Sequence, residues 1–464
     1  MQTYEVIIIG TGGGAKIASA LSKLGRRVAL IEKDKAGGTC LNRGCIPSKM
    51  LIHPAGQLQR IRELNRLQIR AEIQSVDFEA LLAGINAYTD DLSSSIDTHY
   101  ERAETVDYYR GEARFLADHE VQVGDQRLTA PRIVIATGSR PKIPSIPGLA
   151  DTPFLTSTEA LRAREVPPRL AVLGSGYIAA ELGGAYAGFG SDVTFIARTT
   201  FLRREDQEIV EVFKKGFFPG KTILEFTTVR GVDYEQSQFL IETESADGEH
   251  RALEADALLV ATGVRPNSDL LGLEHTSIET DEGGFIRVDD RLQTTASGVY
   301  AIGDVAGNFL FRHSVNFEAE YWVQAHFFSD NPPPIEYPPM PSAVFTHPEI
   351  ASVGWTEEEA EKRGVPVVIG KAAYTSCTMA LARGLEIGLA KLIFERETGL
   401  LKGAHLVGEE ASTMIQELVL AATANLTAQQ IYRQIYIHPA FPEVVRNALR
   451  DALRQFDRKY DILF

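Results

Sequence analysis

Apolar residues along this chain fall into short unbroken runs that end on glycine. Val6-Ile7-Ile8-Ile9 leads into Gly10-Thr11-Gly12-Gly13-Gly14, a helix-spaced stretch Lys16 to Leu24 follows, and the run Val28 to Ile31 ends in Glu32. Uninterrupted apolar runs of this length fit strands covered on both faces of a parallel sheet, and run, glycine turn, helix, run is the order of a βαβ unit. The same order recurs at Leu170 to Leu173, Gly174-Ser175-Gly176-Tyr177 and Val193 to Ile196. Each copy closes alike, with Ile133-Val134-Ile135-Ala136-Thr137-Gly138 in the first and Leu258-Leu259-Val260-Ala261-Thr262-Gly263 in the second. Ala301-Ile302-Gly303-Asp304 then reads as the return of the first unit, so the second is inserted within it. Helical spacing runs from Cys45 through Ile46 to about Ala55 and again over Phe78 to Tyr100, and β-like runs lie at Val106 to Tyr109 and Val121 to Val123. Pro332-Pro333-Pro334 to Pro341 continues neither a helix nor a central strand and reads as a linker to an α+β domain from about Ser342.

The expected fold class is α/β: two Rossmann-like nucleotide-binding domains and a C-terminal α+β domain, with segments 1–148, 149–268, 269–338 and 339–464. In the first fingerprint, Gly10, Gly12, Gly13 and Gly14 permit a tight turn and close approach of backbone N–H groups to a pyrophosphate. Glu32, twenty residues past Gly12, is placed to bond ribose hydroxyls. The second strand end differs, because Ile196-Ala197-Arg198 carries no acid and Arg203 and Arg204 follow. A carboxylate would repel a 2′-phosphate whereas guanidinium groups bind one bidentately, so NADPH is favoured over NADH; the alternative is a solvated basic edge.

A chain of 464 residues holds two to four domains, and its net charge of −15 argues against nucleic acid as a partner. No apolar run reaches membrane-span length and a strand begins within a few residues of Met1, so neither secretion nor insertion is expected. Three cysteines fit a reducing cytoplasm, where a disulfide is usually catalytic.

Two of those cysteines, Cys40 and Cys45, stand five apart beside glycines. On a regular helix their Cα atoms would be about 8.6 Å apart, beyond the roughly 4.4 to 6.8 Å that a disulfide spans. A working disulfide therefore requires a distorted turn, which Gly44 permits. Pro47 suits the first turn of a helix running onward and leaves Cys45 at its N-terminus, where a thiolate is stabilised. Two packed core cysteines or half a zinc site are the alternatives. Zinc has poor support, because only Cys377 remains and no histidine lies at finger spacing; no metal is expected.

The segment Gly-Gly-Thr39-Cys40-x4-Cys45-Ile-Pro-Ser-Lys49, both fingerprints, both Ala-Thr-Gly turns, Gly303-Asp304 and His438-Pro439-x3-Glu443 resemble the flavin-dependent pyridine nucleotide disulfide oxidoreductases, nearly end to end. The resemblance implies FAD on the first fingerprint, with Thr39, Thr137, Gly138, Gly303 and Asp304 about it. It also implies NADPH, with NADH as the second choice, at Gly174, Gly176, Tyr177, Arg198, Arg203, Arg204 and Gly263. Lys49 and Glu181 would pair beside the flavin. Cys45 would be the flavin-side thiolate and Cys40 the thiol that attacks the substrate disulfide. The C-terminal domain would make a homodimer, and His438, oriented by Glu443, would serve the other chain's dithiol. His347 and His53, also before prolines, are read as structural or surface residues, and Cys377 as packed core.

Tyr177, three residues past Gly174, matches the aromatic lid of the family's NADPH-dependent reductases, and Tyr436 to Val445 is most similar to the mycothione reductases. That points to reduction of a low-molecular-weight disulfide. The Leu41 to Lys49 wording is shared with dihydrolipoyl dehydrogenases, so oxidation of a protein-bound lipoyl group with NAD is the alternative. A mercuric-reductase-like role is disfavoured by the missing C-terminal cysteine pair, and a non-catalytic flavoprotein by the intact dithiol, His438 and Glu443.

Overall fold

The computed structural model describes residues 1–217 and 221–456, and they divide into two compact units. The first comprises Met1–Ser48, Ala80–Ile143 and Gly263–Glu336. Its centre is a five-stranded parallel sheet of β1 (Val6–Ile9), β2 (Val28–Glu32), β3 (Val106–Arg110), β4 (Arg132–Ile135) and the strand Val299–Ala301, which pairs with β4. Alternate side chains leave opposite faces of a strand, and the two sets find different cover. Val6, Ile8, Val28 and Leu30 pack on Ile17 and Leu21 of α1 (Gly14–Lys23) and on Val315 and Trp322 of the helix Arg312–Phe327. Ile7, Ile9, Ala29 and Ile31 pack on Phe115, Val121 and Leu128 of a small second sheet, to which the Val121–Val123 run belongs. The long helix predicted at Phe78 is α4 (Phe78–Glu101); the shorter α2 (Gly38–Arg43) and the start of α3 (Cys45–Glu63) carry the cysteines.

The second unit comprises Lys49–Glu79, the described residues of Pro144–Thr262, and residues 337–456. It holds a parallel sheet of β5 (Arg169–Leu173), β6 (Asp192–Ile196), β7 (Lys221–Leu224) and β8 (Ala257–Val260) in the order β7-β6-β5-β8, with α5 (Tyr177–Phe189) and α6 (Gln207–Phe217). A three-stranded antiparallel sheet spanning Thr227–Ala255 was not foreseen, although its alternating burial is the half-exposed strand signature. The C-terminal part is an antiparallel sheet of β9 (Pro341–Val344), β10 (Glu349–Gly354), β11 (Val367–Ala373), β12 (Leu389–Glu395) and β13 (Leu401–Gly408), ordered β9-β10-β13-β12-β11. The helices Ala411–Thr423 and Pro442–Leu453 bury it, and Cys377 lies inside that core with its thiol on the Ala440 carbonyl.

One boundary needs correction. The helix expected to end near Ala55 continues through Pro54 to Glu63. Tertiary packing overrides the proline: Ala55 lies so close to Gly188 of α5 that a Cβ there would sit 2.8 Å from the Ala55 Cβ, and Arg62 donates to the Gly188 carbonyl at 2.9 Å. Elsewhere in this unit, Lys391 on β12 is 1% exposed and meets Asp206, 0% exposed, at 2.9 Å and Glu357 at 2.5 Å. Burial alone would raise the Asp206 carboxyl, but the Lys391 hydrogen bond and the nearby positive charges hold it below its usual value. Replacing Lys391 by Met should destabilise the protein by about 3–5 kcal/mol at neutral pH, because the buried Asp206 and the half-exposed Glu357 lose their ammonium partner, and of the three carboxylates on Lys391 Glu208 alone keeps another lysine, Lys371. A depressed carboxyl pKa contributes stability above the unfolded value and loses it as pH falls, so the gap between wild type and variant should narrow below about pH 4 in urea denaturation.

Candidate functional site: a dithiol, two dinucleotide turns and a histidine–glutamate pair

The two thiols stand where two helices meet. α2 is entered through Gly37 and Gly38 and stops at Gly44, and α3 begins at Cys45 with Pro47 in its first turn. Cys40 and Cys45 are thiols, Cys40 half-buried and Cys45 more exposed. The Cys45 sulfur, to which Cys40 is hydrogen-bonded, and then burial hold the Cys40 thiol well above its ordinary pKa. Arg312 pulls the other way, a contribution with no signal in the sequence pattern. One turn past Cys45 on α3, Lys49 meets Glu181 of α5 at 2.7 Å, and its ammonium lies 4.5 Å from the centre of the Phe345 ring. The other Glu181 oxygen accepts the Phe345 N–H at 3.1 Å, so the buried carboxylate is bonded on both sides.

The two glycine turns are built alike. Gly10 has φ +102 and Gly174 φ +142, and a Cβ at either would lie 2.5 Å from the Ala136 carbonyl oxygen or 2.2 Å from that of Ala261. Each first glycine is thus required by the Ala-Thr-Gly strand end it faces. Neither α1 nor α5, with Gly176 as its N-cap residue, has a side-chain cap or an acid in its first turn, so their first N–H groups are available to a bound anion. Gly12 approaches Gly38 closely, Gly13 packs on Val315 and Gly14 on Ile8. In the first turn Glu32 accepts from the Thr11 N–H at 2.9 Å and the Thr11 hydroxyl at 2.5 Å, and Thr11 in turn accepts the Gly37 N–H at 2.9 Å. Thr11, missed in the sequence, therefore ties the turn to the dithiol segment. The Thr137 hydroxyl is buried and without a partner among the described residues, Gly138 has φ +65, and Thr39 is exposed. Asp304, beside Gly303, accepts from Ser139 at 2.5 Å, and burial pushes its carboxyl up. Uncapped N–H groups, close backbone approach and an orphaned hydroxyl fit FAD on this unit.

At the second turn, Arg198, Arg203 and Arg204 are all exposed, and no described carboxylate pairs with any of them. Tyr177 donates to Glu205, and Gly263, with φ +110, accepts the Lys142 N–H. His438 Nδ1 lies 2.9 Å from Glu443 Oε1, and the second Glu443 oxygen accepts the Ala440 N–H at 3.3 Å. Burial would raise Glu443, but the histidine and the Ala440 N–H hold it below the usual carboxylate range. The imidazole is 70% exposed, and Ile435 and Ile437 beside it are 98% and 77% exposed. His347 instead meets Glu63 at 3.3 Å and His53 meets Gln57.

The family profile described as pyridine nucleotide-disulphide oxidoreductase matches residues 4–326, and the dimerisation-domain profile of the same name matches 340–449. Among curated relatives, the mycothione reductase of Mycobacterium tuberculosis (strain ATCC 25618 / H37Rv) is 36% identical over 463 residues, covering 97% of this chain and 99% of its own. The dihydrolipoyl dehydrogenase of Geobacillus stearothermophilus is 34% identical over 457 residues, with 97% and 96% covered. The HOCl-induced flavoprotein disulfide reductase RclA from Escherichia coli superposes with a TM-score of 0.86 at 30% identity, over 97% of this chain and 99% of its own.

Peptide mapping of the unreduced protein should find Cys40 and Cys45 joined to each other and Cys377 as a thiol. A disulfide to Cys377, or none at all after air oxidation, would contradict this pairing.

Proposed function

The chain belongs to the pyridine nucleotide-disulphide oxidoreductases, FAD-dependent enzymes with NAD(P)H as electron donor, and from that premise we propose that it uses NADPH to reduce a low-molecular-weight disulfide. FAD, when bound, supplies two-electron transfer between the nucleotide and the protein's sulfurs. The glycine turn of β1 and α1, Glu32, Thr39, Lys49, Thr137, Gly138, Gly303 and Asp304 would hold it. Gly174, Gly176, Tyr177, Gly263 and the three arginines would hold NADPH.

With both sulfurs reduced, Cys45 at the start of α3 is the better thiolate, and its hydrogen bond keeps a proton on Cys40. Attack by Cys40 therefore needs a base, and the His438–Glu443 pair is built as one. The imidazole takes the Cys40 proton, the Cys40 sulfur attacks one sulfur of the substrate, and a mixed disulfide forms as the other sulfur leaves. His438 returns the proton to that leaving thiolate, giving the first thiol. The Cys45 thiolate then attacks the Cys40 sulfur, the mixed disulfide breaks, and the second substrate sulfur departs as a thiolate that takes its proton from water as the Cys40–Cys45 disulfide reforms. One disulfide and two reducing equivalents become two thiols. His438 stands exposed among bare isoleucines on the segment matched by the dimerisation-domain profile, which supports a homodimer in which it serves the partner's Cys40.

The observation that carries the choice of nucleotide is the exposure of Arg198, Arg203 and Arg204 after the end of β6, with no carboxylate partner among the described residues. Oxidation of a lipoyl group with NAD is the second reading, favoured by the sequence around the dithiol and by the identity to dihydrolipoyl dehydrogenase.

The specificity constant for NADPH should exceed that for NADH, and Arg198→Ala should lower the NADPH value by roughly tenfold or more, since a charge-assisted hydrogen bond is worth about 1.5–3 kcal/mol. Equal or better use of NADH by the wild type would restore the lipoyl reading. Subunit mixing tests the shared site: heterodimers of Cys40→Ser and His438→Ala chains should regain activity at one of their two sites, and verified heterodimers as inactive as both parents would place the histidine in its own chain or outside the reaction.

A further inference from the structure

The dithiol segment and the helix Arg312–Phe327 rest side by side on one glycine turn. Gly38, two residues before Cys40, comes so close to Gly12 that a Cβ there would lie 2.8 Å from the Gly12 Cα, and a Cβ on Gly13 would lie 2.3 Å from Val315, three residues past Arg312. Consecutive glycines therefore bring Arg312 to the sulfurs, near enough for its charge to act on the Cys40 thiol. Arg312 is half-buried, and no described carboxylate pairs with it. The cations nearest the two cysteines in sequence are already taken, Arg43 by Asp34 at 2.5 Å and Lys49 by Glu181 at 2.7 Å. The helix opening at Arg312 has no acid in its first turn and no side-chain cap, so its positive end adds to the guanidinium charge. A guanidinium offers five N–H donors in a fork matched to a carboxylate. A lone thiolate occupies only part of that fork, and the Cys40–Cys45 disulfide, being neutral, occupies none of it. With 62 acidic residues against 47 basic ones, the chain as a whole repels anions. That field is screened beyond about 8 Å in physiological salt, so the cation beside the sulfurs decides whether an anionic disulfide can dock.

We propose that Arg312 is a specificity-determining residue that binds a carboxylate of the substrate, and that the preferred substrate is a disulfide carrying a carboxylate close to its sulfur. The proposal deepens, and rests on, the reading of the chain as a reductase of low-molecular-weight disulfides. It also separates that reading from the lipoyl one, because an amide-linked lipoyl group has no charge near its sulfurs.

Two sets of reagents with the same reaction and different charge test it. With the FAD-loaded protein and NADPH, kcat/KM is measured for dithiodiglycolate, a dianion, for the neutral hydroxyethyl disulfide and for cystamine, a dication. In Arg312→Gln the ratio of dianion to neutral disulfide should fall about three- to tenfold against wild type, as for a charge-assisted contact at a half-buried position. The ratio for cystamine should rise, and Arg312→Lys should keep most of the wild-type order. Loss of the guanidinium also lifts the Cys40 thiol, which slows all three disulfides alike, so the ratios isolate the carboxylate contact. The second set needs no nucleotide: the chemically reduced protein is alkylated with iodoacetate or with iodoacetamide, and the rate ratio at the Cys40–Cys45 pair is followed by peptide mapping. It should fall in Arg312→Gln by a similar factor. Ratios that Arg312→Gln leaves unchanged, or a wild type that prefers cystamine, would overturn the role of Arg312 while the reductase reading stands. No turnover of any of the three disulfides would overturn the reductase reading, and the substrate class with it, whatever the alkylation ratio.

Discussion

The interruption between α2 and α3 at Gly44 is the constraint on which the chemistry of this protein depends. Five residues of continuous helix would hold Cys40 and Cys45 apart, and the break instead brings them into hydrogen-bond contact. Glycine is required there because a Cβ would lie 2.9 Å from the Thr39 carbonyl oxygen. The Gly44 carbonyl accepts the Ser48 N–H at 3.0 Å and so starts the ladder of α3. One residue therefore ends a helix, begins the next, and leaves Cys45 at a fresh N-terminus. The preceding Gly38 approaches Gly12 so closely that a Cβ would come within 2.8 Å of its Cα, which presses the dithiol segment onto the first dinucleotide turn.

The two nucleotide-binding units solve one geometric problem and differ in charge. Gly10 and Gly174 each clear a carbonyl of an Ala-Thr-Gly strand end, and each helix opens with uncapped N–H groups. At the end of the second strand the units diverge. Glu32 is buried and already bonded to Thr11, whereas Arg198, Arg203 and Arg204 stand exposed without described partners. A buried, fixed acid suits neutral ribose hydroxyls, and exposed cations suit an added phosphate.

Most of this was legible because the decisive signals are local. The apolar runs of β1 and β2, the glycine turns and the five-residue cysteine spacing each encode their structure within a dozen residues, and His438 and Glu443 are close enough in sequence to be paired by inspection. What was not legible depends on residues distant in sequence. The passage of α3 through Pro54 rests on Gly188, and the contribution of Arg312 to Cys40 comes from a helix more than two hundred residues away. The antiparallel sheet over Thr227–Ala255 did show alternation, but it is an embellishment of the nucleotide-binding order and carries no motif.

The central claim is that electrons from the nucleotide come to rest on Cys40 and Cys45. Its most direct test is to add one equivalent of NADPH per chain to the oxidised, FAD-loaded protein without air or substrate, quench with an alkylating reagent under denaturing conditions, and map the modified cysteines. The account predicts two new thiols per chain, at Cys40 and Cys45, with Cys377 labelled equally before and after. No gain of thiols at that pair, or a gain at Cys377, would contradict it.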